Sequence, residues 1–231
     1  MGNRTDVIEQ KLQLLIRKFK EVLYEDDEKF LEGMKATAVP PQEILKYRHW
    51  EWTQGVGLYG FWQYYRQTGD PAVLGELAAY YEARLAEGLP GRNVNTTAPL
   101  LTLSCLYEHT DDERYGAVCR DWAQWLVDEL PKTQGGGFQH LTSDTLNDQE
   151  LWDDTLFMAV LFLANMGRIE KRGDWIDEAK YQFCCTSGIS QTRRRASSST
   201  AGPSRAATTS PGAAGAGGTA GSRPPSRSSW A

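Results

Sequence analysis

The sequence predicts an all-α chain built from helical hairpins, and three observations carry that prediction. Apolar residues recur at helical spacing through most of the first 183 residues. No stretch sustains the period-two alternation of a half-buried strand. A short pattern, Tyr65-Arg-Gln-Thr68-Gly-Asp70, returns 42 residues later as Tyr107-Glu-His-Thr110-Asp-Asp112, with a looser echo at Lys171-Arg-Gly-Asp174. Each copy closes one helix and opens another that carries aromatics: Tyr80 and Tyr81, Trp122 and Trp125, Trp175 and Tyr181. A period of about 40 residues means hairpins packed side by side. Open solenoids of the tetratricopeptide sort need about 34 residues per repeat. The Gly-rich, aromatic-rich connections favour the other architecture, a closed (α/α) toroid with a cleft at one end.

Taken in order, Val7, Ile8, Leu12, Leu15, Ile16, Phe19, Val22 and Leu23 make residues 6–32 one amphipathic helix or two. Further helical patterns cover 53–67, 72–87, 97–109, 113–129, 151–167 and 174–183. Their breaks hold the residues that stop helices or cap them: Thr68-Gly-Asp-Pro71, Gly88-Leu-Pro-Gly91, Pro131, Gly135-Gly-Gly137 and Arg172-Gly-Asp174.

Composition divides the 231 residues after Phe183. Residues 1–183 form the helical body, whereas 184–231 contain no Asp, Glu, Lys or Leu and consist mostly of Ser, Ala, Gly, Arg, Thr and Pro. The tail's six arginines (Arg193, Arg194, Arg195, Arg205, Arg223, Arg227) leave −11 on the body against the chain's −5. An acidic body gives no reason to expect nucleic acid as a partner. The opening MGNRTDVIEQKLQLLIRKFK lacks the apolar core of a secretory signal and only loosely approaches a myristoylation signal. No stretch reaches the roughly 18 apolar residues of a membrane span. Cys105, Cys119, Cys184 and Cys185 lack zinc spacing, and the first two sit in apolar helical patterns typical of buried free thiols. A soluble, cytoplasmic chain without membrane contact is the expectation.

Four segments could carry chemistry: Tyr47-Arg-His-Trp50-Glu-Trp52-Thr-Gln54-Gly55, Arg92-Asn-Val-Asn95-Thr-Thr-Ala-Pro99, Gly135-Gly-Gly-Phe-Gln-His140 and Asn147-Asp-Gln-Glu-Leu-Trp152-Asp153-Asp154-Thr155-Leu156. Tryptophan faces beside carboxylates, amides and a histidine suit a sugar, whose apolar face stacks on rings while fixed polar groups read its hydroxyls. A carboxyl in an apolar setting has its pKa raised towards proton donation. Each segment also has a plain structural reading. Trp50 and Trp52 can be helix packing, Asn95-Thr96-Thr97 an N-cap, His140 a loop residue, and Asp153-Asp154 the acidic first turn of a helix.

Taken together, HWEWTQGVGLYGFWQYYRQTGD, NVNTTAPLLTLSCLYEHT, GGGFQH and LWDDTLFMAVLFLANMGR resemble, in that order and spacing, the unsaturated rhamnogalacturonyl hydrolases of glycoside hydrolase family 105, close to the unsaturated glucuronyl hydrolases of family 88. The resemblance spans residues 40–183. It implies part of an (α/α)6 toroid and a hydrolase acting on unsaturated galacturonyl-rhamnose oligosaccharides from pectin, with no metal and no cofactor. In that reaction an Asp carboxyl protonates C4 of the vinyl ether, water adds at C5, and the hemiketal opens to release the rhamnose-containing product. The family's acid falls on Asp154. Trp152 would line the sugar pocket, and His140 and Asn95 would contact substrate. Tyr47, Arg48 and Trp50 are carried over as further binding residues. The competing readings are a non-catalytic helical-repeat scaffold for a protein partner, and a glucuronyl hydrolase acting on glycosaminoglycan fragments.

The tail has two readings. One is a disordered Arg/Ser/Gly extension. The other is a frameshift after Phe183: regrouping codons lets Gly215-Ala-Gly-Gly-Thr-Ala-Gly221 read as Trp-Gly-Arg-Gly-Asn-Ser-Trp, matching the W-x-R-G-N-x-W motif of the family's second half. Half a toroid would leave its terminal apolar faces uncovered and its pocket unfinished. On that reading the chain as written is expected to be unstable or inactive.

Overall fold

The computed structural model describes residues 4–198, with side chains for 6–188. Most of the tail, including the stretch that bears the frameshift reading, lies outside the described residues. Nine α-helices are described: α1 (Arg4–Leu23), α2 (Glu28–Met34), α3 (Pro41–Tyr47), α4 (Trp52–Thr68), α5 (Pro71–Glu87), α6 (Val94–Thr110), α7 (Glu113–Asp128), α8 (Leu161–Ile169) and α9 (Gly173–Ser198). A π-helical turn, Leu156–Val160, leads into α8. The described residues contain no strand, so the all-α prediction matches the structure.

The repeated sequence pattern is a repeated corner. At the end of α4, the Thr68 hydroxyl donates to the Tyr64 carbonyl and accepts from the Asp70 amide. Gly69 takes a left-handed φ of 68°, and the Asp70 carboxylate accepts from the Ala72 amide at 2.9 Å. The end of α6 does the same 42 residues later: Thr110 bonds Leu106, Asp111 takes φ 54°, and Asp112 caps the Arg114 amide at 2.9 Å. A left-handed residue stops one helix and an aspartate starts the next. At the third corner Lys171 holds φ 54° and Arg172 donates its amide back to Gly167.

Three hairpins result, α4–α5, α6–α7 and α8–α9. Helices α4, α6 and α8 lie side by side as an inner row, with α5, α7 and α9 outside. Burial explains the order. Helix α6 is buried on nearly all sides, as a helix enclosed by neighbours must be. Leu100, Leu103 and Leu106 are fully enclosed, each contributing about 1.5–3 kcal/mol. Helix α7 instead buries one stripe, Tyr115, Cys119, Trp122 and Leu126, and faces solvent with the other. The inner row lines an open groove of about 690 Å³ whose walls include Tyr59, Leu101, Cys105, Leu161 and Asn165. Helix α1 lies on α4, where the Phe19 ring occupies the space over Gly57 and meets Phe61 edge-on at 6.2 Å.

The structure adds one element to the sequence prediction, moves the start of a second and extends a third. Helix α3 was not predicted. It starts on Pro41, which supplies the fixed φ of a first helical position, and packs Ile44 and Tyr47 against Met34. The helix expected over 151–167 begins only at Thr155, because Leu151–Asp154 close the preceding loop. Helix α9 continues past Phe183 to Ser198, and Thr186 is buried within it. Among the described residues, no helix is long and apolar enough to cross a membrane, and no cluster of His, Cys, Asp or Glu could hold a metal ion.

The inner row depends on close contact between α4 and α6. A Cβ at Gly55 would sit 2.6 Å from Ala98 backbone and side chain and 2.8 Å from the Pro99 nitrogen. Gly55→Ala is therefore expected to force the helices apart and lower unfolding free energy by about 1–3 kcal/mol. The midpoint of urea unfolding, compared with that of Gly60→Ala, where the added methyl meets nothing, measures this.

Candidate active site

The N-terminal ends of the inner helices open into a cleft of about 340 Å³. It is lined by Trp52 from the start of α4, Asn95 from the first turn of α6, Met158 from the π turn, and His140, Thr142, Asp144, Thr145, Asn147, Trp152 and Asp154 from the long connection after α7.

That connection is fixed before it reaches the cleft. The Gly135-Gly-Gly137 turn is gripped by α9: Tyr181 Oη donates to the Gly135 carbonyl (2.9 Å), and Gln182 Nε2 donates to the Gly136 carbonyl (2.9 Å). The Phe138 amide donates to Gln182 Oε1 (2.6 Å). Gly136 has φ 80°, and a Cβ there would meet Tyr181 Oη at 2.5 Å, so glycine is required. Phe138, Gln139 and His140 then run through the interior. The Val94 amide donates to the Leu141 carbonyl at 2.9 Å, which ties the segment to α6.

His140 is buried, with Nδ1 sharing a hydrogen bond of 2.8 Å with Thr155 Oγ1 and lying 3.5 Å from Asp154 Oδ1. Burial pushes its pKa below the usual histidine value, against the opposing pull of Asp154 and Glu150. The ring is thus neutral at pH 7. It stacks on Trp152 with centroids 4.4 Å apart and planes within 3°. Trp152 Nε1 donates to Glu150 Oε2 at 2.8 Å, and about half of the residue stays exposed. One indole face is therefore covered by the imidazole while exposed area remains at the cleft, the arrangement of a sugar-stacking platform. Asp154 is about half exposed, and its carbonyl accepts the amides of Phe157 and Met158, starting the π turn. Such turns recur at functional sites because they re-aim the residues they follow.

The sequence-predicted residues divide into two groups. Asn95, His140, Trp152 and Asp154 line one cleft. Tyr47, Arg48 and Trp50 do not: the structure places these three beside the cleft, in contacts with the framework. Trp50 is fully enclosed, stacked on Tyr80 with planes within 3°, and its indole Nε1 donates to the Thr96 carbonyl at 2.8 Å. No indole face remains for a sugar. Tyr47 is buried against Gly91, and burial raises its hydroxyl above the usual tyrosine range. Arg48 turns outward to pair with Asp26.

Asn95 does not cap its helix. The cap is Asn93, whose Oδ1 accepts the Thr96 amide at 3.0 Å while Thr96 Oγ1 accepts the Asn93 amide at 2.9 Å. Asn95 stands two residues inside, free of capping duty.

Two residues of this region stood in a singled-out segment without being assigned to the site. Trp52, two positions after Trp50, is about half exposed at the cleft mouth. Glu51 between them is buried, and desolvation pushes its carboxyl up to about 7. Ser143 Oγ donates to that carboxyl and holds it lower than burial alone would. Glu51 stood between two tryptophans and forms a capping box with Gln54, signals that mark the start of α4 but not the burial of the carboxyl.

An all-helical row of hairpins with a Trp-, Asp- and His-lined cleft at the helix N-termini is the arrangement of a toroidal glycosidase. The profile of Glycosyl Hydrolase Family 88 matches residues 29–194, and the chain belongs to that family. It is 29% identical over 136 residues to the unsaturated rhamnogalacturonyl hydrolase YesR of Bacillus subtilis (strain 168), covering 58% of this chain and 40% of that one. Two solved structures, each described as a possible member of the GH105 family, superpose with a TM-score of 0.65. One is from Klebsiella pneumoniae (36% identity, 80% of this chain, 48% of that chain) and one from Salmonella enterica serovar Paratyphi A (38%, 76% and 47%). The chain thus spans about half the length of the proteins it matches, and its three hairpins are a partial toroid.

Because the Glu51 pKa lies above that of the unfolded chain, Glu51 binds its proton more tightly when folded. Its stabilising proton is present in full below the ordinary glutamate value of 4.5 and is lost as pH rises to about 7. Folding stability should fall across that window by about 3 kcal/mol from this group. Glu51→Gln is expected to remove most of that fall, seen as a smaller difference between urea midpoints at pH 4.5 and pH 8.

Proposed function

We propose that this chain carries one side of the active site of a hydrolase that hydrates unsaturated galacturonyl-rhamnose oligosaccharides. One observation carries the reading: an exposed carboxyl, Asp154, stands in one cleft with a ring platform, Trp152, and a buried neutral histidine 3.5 Å away. The relationship to an unsaturated rhamnogalacturonyl hydrolase supports the substrate class.

In the proposed reaction the sugar lies on Trp152, with Trp52 at the cleft mouth. Asp154 gives its proton to C4 of the vinyl ether, and the positive charge that develops at C5 is captured by water. The water returns a proton to the Asp154 carboxylate, which restores the acid for the next cycle. His140, neutral and held at Nδ1, offers a polar ring edge rather than a charge. Asn95 reads a hydroxyl or the substrate carboxylate.

The resemblance to unsaturated glucuronyl hydrolases keeps a second substrate within the same chemistry, an unsaturated glucuronyl group on a glycosaminoglycan fragment with an amino sugar. Rates on the two disaccharides, followed by loss of vinyl-ether absorbance near the ultraviolet edge, decide between them. On the better substrate Asp154→Asn is expected to lower the rate by about 10²–10⁴-fold, while binding, followed by tryptophan fluorescence, changes little. A rate untouched by the substitution removes Asp154 as the acid and favours the scaffold reading. Nucleotide sequencing across the Phe183 codon tests the frameshift: a shifted frame without the missing motif rules it out.

A further inference from the structure

Thr155 stands where a threonine ordinarily serves the backbone. It is the N-cap residue of the π turn, yet its side chain makes no capping bond. The residue is 3% exposed, and its Oγ1 lies 2.8 Å from His140 Nδ1. Among the described residues that hydroxyl has no other partner. The ring it meets is held in place on its other sides. Trp152 stacks on it with planes within 3°, and Asn147 Nδ2 donates to the His140 carbonyl at 2.8 Å.

Hydrogen-bond accounting fixes the direction of the Thr155–His140 bond. A buried hydroxyl carries a proton that needs an acceptor. Were the imidazole proton on Nδ1, it would point at Oγ1 and leave the hydroxyl proton enclosed without one, a costly arrangement. Asp154 Oδ1, the other acceptor near Nδ1, is 3.5 Å away, beyond the usual length of such a bond. Glu150 Oε2 is taken up by Trp152 Nε1. In the neutral ring Thr155 therefore donates, Nδ1 accepts, and the proton sits on Nε2. His140 Nε2 has no bond to a described residue and is not among the sealed polar atoms, so it opens to the cleft that His140 lines. The described lining of that cleft holds no lysine or arginine. A uronyl sugar, which carries a carboxylate, is met on this wall by neutral donors.

We infer that Thr155 is a positioning residue of the cleft: by donating to His140 Nδ1 it fixes the imidazole in its Nε2–H form and gives the cleft an N–H donor for an oxygen of the bound sugar. Stacking sets the plane of the ring, and the hydroxyl sets which nitrogen carries the proton. Asp154 pulls the other way, since a carboxylate beside Nδ1 favours a proton there, and the shorter contact prevails. The donor role at the cleft rests on the proposed substrate site, whereas the tautomer set by Thr155 does not.

Nitrogen-15 NMR of the histidine side chains in the free 231-residue chain reads the tautomer directly. The chain has three histidines, and the signals missing from His140→Gln identify His140. At pH 8, where the ring is neutral, the expected result is a bare Nδ1 and a protonated Nε2. Thr155→Val keeps the β-branched shape without the hydroxyl, and the proton should move to Nδ1, facing Asp154. Thr155→Ser should restore the parent pattern. A parent chain with the proton on Nδ1 overturns the inference without any variant, so the test survives a Thr155→Val that fails to fold. A folded Thr155→Val that keeps the parent tautomer also overturns it. In the disaccharide assay at pH 8, Thr155→Val should raise KM about three- to tenfold with kcat nearly unchanged, and Thr155→Ser should recover the parent KM. A fall in kcat at unchanged KM would place the hydroxyl in the chemistry and overturn the positioning role. Absence of turnover in the parent chain counts against the hydrolase reading, and the NMR pattern then decides the inference by itself.

Discussion

The contact between α4 and α6 at Gly55 and Ala98 governs everything at the cleft end of the molecule. Gly55 lies four residues after Glu51, and Ala98 lies three residues after Asn95, so each is one turn inside its helix. Bringing those turns within backbone contact brings Glu51 beside Asn95 and Trp52 beside the start of α6. Trp50 fixes the register, since its indole donates to the Thr96 carbonyl and its ring stacks on Tyr80 from the outer helix. A bulkier residue at Gly55 would change the distance between the first turns, and with it the wall of the cleft. Packing one turn down thus sets the chemistry at the top.

The second wall depends on an outer helix. His140 and Trp152 belong to a connection of more than twenty residues, a length at which a segment without regular structure needs outside support. Tyr181 and Gln182 on α9 provide it by bonding the glycine turn, and the His140 amide then pairs with the Glu150 carbonyl so that the connection folds back on itself. Asn147 Nδ2 reaches the His140 carbonyl at 2.8 Å and closes the fold-back. The stacked His140–Trp152 pair follows from that crossing. Residues some 40 positions apart in the chain therefore hold one imidazole in place, and the body cannot be cut short of Gln182 without releasing it.

How much of this was legible depended on the range of the interaction. Corners were legible because their chemistry is local: Thr68-Gly-Asp70 and Thr110-Asp-Asp112 each contain every group that the turn uses. The four cleft residues Asn95, His140, Trp152 and Asp154 were legible through the motifs of the family that the sequence resembles. Trp50 and Trp52 were not separable, because two indoles two residues apart ahead of a helix give no sign of which one meets Tyr80. Helix α3 is seven residues long, too short for periodicity to declare it. Glu51 was hidden for a different reason. Its burial is made by Ser143, 92 residues away, and a charged residue at a helix N-cap normally means an exposed one.

The two carboxyls of the site receive opposite environments. Glu51 is enclosed, bonded to neutral donors and pushed up to about 7 by burial. Asp154 is half open to solvent, beside a neutral imidazole and an exposed indole face. A group that transfers a proton to substrate must reach it, which the open carboxyl can do and the enclosed one cannot. The enclosed one is instead tied to the loop of residues 141–147 by the Ser143 hydroxyl. Separate environments for neighbouring acids are the usual means by which one site runs two roles. In this cleft the separation comes from helix geometry: α4 turns Glu51 inward between two inner helices, while the π turn behind Asp154 leaves its side chain at the open edge of the row.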